Sequence, residues 1–124
     1  MTRSLAYMTT FLVLAISIAG CIDPGIRIEG TIVDKEDESP IAGASVILEQ
    51  AEDCYICTTV SYDVVRVEET DSTGHYQLTY VDSHGCNNNE YLVKFRSTGY
   101  QEHKFSYLHC TEEFETINVL LARE

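Results

Sequence analysis

The stretch GIRIEGTIVDKEDESPIAGASVIL, residues 25–48, alternates apolar and polar side chains on both sides of a charged break. Before the break Ile26, Ile28 and Ile32 fall on one face, and Arg27, Glu29 and Thr31 on the other. After it Val46 and Leu48 resume the alternation, behind Pro40 and Gly43. A period of two is that of a strand with one face covered by a core. The charged run between the two halves, Lys35 to Glu38, reads as a loop.

Outward from that stretch the same rhythm recurs, with turn residues every 8–12 positions and no long segment of helical periodicity. The run VSYDVVRVEET leads to the turn DSTG (Asp71 to Gly74), after which Tyr76, Leu78 and Tyr80 alternate. Tyr91, Val93 and Phe95 share a face of the next strand. QEHKFSYLH follows TGY, and ETINVLLA closes the chain with Ile117, Val119 and Leu121 inward. These runs predict seven strands of an all-β sandwich or barrel, with no linker, internal repeat or low-complexity tract.

The spacing of turn and core residues resembles the carboxypeptidase regulatory-like domain over roughly residues 26–122. The positions that carry the resemblance are Gly30, Asp34, Pro40, Gly43, Ala44, Val46, Leu48, Thr70, Asp71, Gly74, Tyr76, Leu78, Gly99 and Tyr100. The resemblance implies a seven-stranded Greek-key β-sandwich of transthyretin (prealbumin) type. It departs between Ala51 and Val67, where two additional cysteines stand. It also implies a non-catalytic module that supports folding or contacts. The related hydroxyisourate hydrolases end in Tyr-Arg-Gly-Ser, whereas this chain ends VLLARE, so that activity is not expected.

The first residues, MTRSLAYMTTFLVLAISIAGC, place one cation before an apolar run too short to span a bilayer, and small residues after it. This is the order of a secretory signal peptide. Ile18-Ala19-Gly20-Cys21 further resembles the lipobox of bacterial lipoproteins, which implies lipidation of Cys21 and anchoring through acyl chains. With Ile22 rather than aspartate next, the expected location is the cell envelope, at the outer membrane facing the periplasm or the cell surface. The expected division is a signal peptide at 1–20, a lipidated N-terminus and short tether at 21–25, and the sandwich domain at 26–124.

The chain has 5 cysteines, and assigning Cys21 to lipid leaves Cys54, Cys57, Cys86 and Cys110. An even set in an exported chain reads as disulfides, with three possible pairings. Strand alternation gathers their loops at the end where the chain enters the domain, and puts the acidic loop, the Asp71 turn and Tyr100 at the other. Two alternatives remain open for the cysteines: zinc ligation helped by His84 and His109, or a redox pair in Cys54-Tyr-Ile-Cys57.

A net charge of −12 excludes a phosphate-reading role, so no nucleic-acid partner is expected. No catalytic elbow or zinc-protease motif is present, and no cofactor is called for. His75 and His103 are expected to face solvent. The expected partners are the membrane, through the acyl chains, and an envelope protein; a glycan is the alternative. Tyr55, Tyr62 and Tyr100 are the candidate stacking residues for a sugar, in a chain without tryptophan. Glu36, Asp37, Glu38 and Asp71 are candidate calcium ligands from two loops at one end.

Overall fold

The computed structural model describes residues 24–51, 61–81, 90–106 and 108–124. Within them eight strands form two sheets, with no membrane-crossing helix. They are β1 (Ile26–Asp34), β2 (Ser45–Ala51), β3 (Tyr62–Glu69), β4 (His75–Tyr80), β5 (Tyr91–Arg96), β6 (His103–Phe105), β7 (Glu115–Thr116) and β8 (Val119–Leu121). One sheet sets β1 between β4 on one side and β7 and β8 on the other; the second runs β3-β2-β5-β6. The sheets face each other over one core, as the alternation requires. Ile26, Ile28, Ile32, Val46, Leu48, Tyr76, Leu78, Val93, Phe95, Val119 and Leu121 are all buried there. Fully burying each large apolar side chain contributes on the order of 2 kcal/mol. The rings of Tyr76 and Phe95 meet edge to face across the core at 5.6 Å.

Eight strands rather than seven result from a break in the closing segment. β7 and β8 both pair parallel to β1, but Ile117 and Asn118 between them leave the regular ladder. The backbone N–H of Ile117 donates to the carbonyl of Glu29 at 2.8 Å, and the side-chain oxygen of Asn118 accepts from the N–H of Thr31 at 3.0 Å. The amide side chain thus supplies a ladder bond that the displaced backbone no longer makes. Two motif residues hold this break. A Cβ on Gly30 would stand 2.1 Å from the Ile117 carbonyl oxygen, and the Tyr76 hydroxyl donates to the same oxygen at 2.6 Å. Burial pushes the Tyr76 phenol well above its ordinary pKa, with the nearby Glu29 charge adding to it. Tyr76→Phe should therefore lower stability by about 1 kcal/mol, the usual net worth of one such bond. The check is the urea midpoint, and an unchanged midpoint would show that this carbonyl has no need of the hydroxyl.

Two other expectations change. The sixth strand is only three residues long. Past Phe105 the chain crosses from one sheet to the other, where Thr111 and Gly25 exchange backbone bonds of 3.0 and 2.8 Å. Arg27, expected outside, is buried, because its guanidinium donates to the carbonyl of that same Thr111.

Candidate functional site

Strand direction decides which loops meet. β1, β5 and the broken closing strand run one way; β2, β4 and β6 run back. The β1–β2 loop, the β3–β4 turn, the β5–β6 turn and the residues after β8 consequently share the end opposite Gly25. Most polar positions of the sequence motif lie there.

Asp34 is the centre of that end. It is the last residue of β1 and its side chain is fully buried, which demands that each carboxylate oxygen find donors. Oδ1 accepts from the backbone N–H groups of Glu36 at 2.7 Å and Asp37 at 3.3 Å, which turns the chain out of the strand. Oδ2 accepts from the Tyr100 hydroxyl and from Nε of Arg123, both at 2.7 Å. The Arg123 bond above all, with the Tyr100 and backbone bonds, holds this carboxyl well below the usual carboxylate range despite its burial. In return Asp34 raises the pKa of both Tyr100 and Arg123. Arg123 also reaches Glu36 at 3.2 Å and Asp37 at 3.3 Å. These outer contacts are exposed, and pairs of that kind contribute little. Glu124 N–H to Gly99 and Gln101 N–H to Ala122 complete the join between the last residues and the β5–β6 turn.

A second polar knot ties the β1–β2 loop to the β3–β4 turn. The buried Thr70 hydroxyl donates to the carbonyl of Ile41 at 2.6 Å and accepts from the N–H of Ala44 at 2.9 Å. Asp71 Oδ1 accepts three bonds inside its own turn, from Thr73 N–H and hydroxyl and from His75 N–H. The Thr73 hydroxyl bond, followed by the two backbone ones, lowers the Asp71 pKa. Gly74 closes the turn at φ +76° with Ile32 and Pro40 against it, where no side chain fits.

The proposed calcium ligands are thus placed, but as parts of these knots. Asp71 is bonded within its turn. Asp37 holds Ser39, whose hydroxyl chiefly lowers its pKa, and Glu36 and Asp37 face Arg123. Glu38 takes a left-handed backbone at φ 59°. No group of three or more His, Cys, Asp or Glu among the described residues is arranged to hold a metal ion. Tyr100, read from the sequence as a stacking platform, is half-buried and bonded through its hydroxyl to Asp34. Tyr62 is exposed on β3. Tyr55, Cys21, Cys54, Cys57, Cys86 and His84 lie outside the described residues. Cys110, one residue before the Thr111–Gly25 bridge, packs against the core at the entry end. His75, His103 and His109 are exposed.

The arrangement joins three separate chain segments at one end through a carboxylate kept ionised by its donors, and ties a fourth, the β3–β4 turn, through the Thr70 hydroxyl. It has the architecture of a β-sandwich.

No protein-family model matches the chain, and no curated protein does. Among solved structures it is similar to 3-chlorocatechol 1,2-dioxygenase from Rhodococcus opacus 1CP. The TM-score is 0.52 at 14% identity, over 82% of this chain and 61% of that one. That similarity is one of fold. The shaft pilin SpaA from Lactobacillus rhamnosus GG gives a TM-score of 0.47 at 14% identity, over 81% of this chain and 46% of the pilin. A 9R-lipoxygenase from Cyanothece PCC8801 gives 0.44 at 12% identity, over 77% and 16%. The chain therefore spans less than two thirds of each of these proteins.

The residue that sequence reasoning missed is Arg123. The signal for it was present in the pattern: a base two positions beyond an inward-facing Leu121, in a chain with 20 acids and 8 bases. What hid it was the parallel pairing of β8 with β1, which sets Leu121 beside Asp34 and carries Arg123 past it.

Proposed function

We propose that this chain is a lipid-anchored module of the carboxypeptidase regulatory-like type, a seven-stranded Greek-key sandwich whose role in the cell envelope is to bind another protein rather than to catalyse. The motif residues support the family reading, since Gly30, Asp34, Thr70, Asp71, Gly74, Tyr76 and Tyr100 each have a structural task at a turn, break or knot. The observation that carries the interaction role is the placement of exposed apolar side chains. Three of the six exposed large hydrophobics among the described residues, Tyr62, Val64 and Val67, lie on β3, the edge strand of the second sheet. Apolar residues concentrated on an exposed edge mark contact surfaces. Lipidation of Cys21 would hold the Gly25 end toward the membrane and leave β3 along the flank. Pairing of Cys110 with one of Cys54, Cys57 and Cys86, and of the remaining two with each other, belongs to the same reading.

Crosslinking of the full-length protein in its own cells, followed by affinity capture and mass spectrometry, tests the role. One dominant protein partner is the expected result, and capture of abundant envelope proteins alone would overturn it. Cys21→Ser should release the protein from the membrane fraction; a variant that stays bound would remove the lipid anchor from the proposal.

A further inference from the structure

We draw no further inference here: the strongest candidate, the free edge and outward face of β3 with its exposed Val64 and Val67, already carries a register shift and the charged side chains of Asp63, Arg66, Glu68 and Glu69, and nothing in the structure shows what covers it.

Discussion

Gly30→Ala should destabilise the domain by about 3 kcal/mol, at the upper end of what overpacking costs. The added methyl would stand 2.1 Å from the Ile117 carbonyl oxygen and 2.9 Å from the Asn118 side-chain oxygen. Neither neighbour can give way alone. The Ile117 carbonyl holds the Tyr76 hydroxyl, and the Asn118 oxygen holds the backbone of Thr31. Relief of the clash therefore moves the break between β7 and β8 and weakens both bonds. Gly43→Ala is the control. Its added methyl meets nothing within 4 Å, but its φ of +72° remains unfavourable for alanine. That substitution should cost about 1 kcal/mol, the ordinary price of a left-handed residue with a side chain. Urea midpoints at equal slope make the comparison. A Gly30 variant no less stable than the Gly43 variant would show that β7 and β8 can shift freely against β1.

Asp34→Asn should lower the denaturation midpoint at neutral pH several times more than Glu102→Gln does. The asparagine keeps the shape but removes the charge, and it turns one side of the group into a donor facing Tyr100 and Arg123 or the backbone N–H groups of Glu36 and Asp37. Glu102 lies on the surface, where Arg96 and then Lys104 hold its pKa down at small benefit. The pH dependence gives a second readout. Asp34 loses its proton more readily folded than unfolded. Its contribution is thus fully present above the ordinary carboxylate value of about 4 and is lost as pH falls toward the folded value. The difference between the parent and Asp34→Asn should be constant above about pH 5 and close progressively in stronger acid. A difference that held constant into strong acid would mean that the charge of Asp34 is not what the knot uses.

Much of this fold was legible because its strands obey one rule. Ile26, Ile28, Ile32, Val46, Leu48, Tyr76, Leu78, Val93 and Phe95 alternate in the sequence and are buried together in the structure. The turns were legible for a similar reason, since Gly74 and Asp71 are residues that few other conformations use so well. The broken closing strand was not, because ETINVLLA has an unbroken apolar pattern and the break is set by Gly30 and Tyr76, far off in the chain. Asp34 and Tyr100 were legible as motif positions, but their shared partner was not. An ion pair between residues 34 and 123 depends on which strands lie side by side, and periodicity within one strand does not carry that information. The outward face of β3 was equally hidden, because a register shift displaces its valines from simple alternation.

The first and last long pairings of the described chain are with each other: β1 leaves Gly25, and β8 lies parallel beside it and ends next to Asp34. If the Gly25 end is held and the last residues are pulled away from it, the two strands are loaded along their length. All of their cross-bonds, with the Arg123 contacts beyond them, then resist sliding at once instead of opening one after another. Such a domain is stiff against tension between its Gly25 end and its last residues, and it would give way more readily to a pull on β3, which can peel.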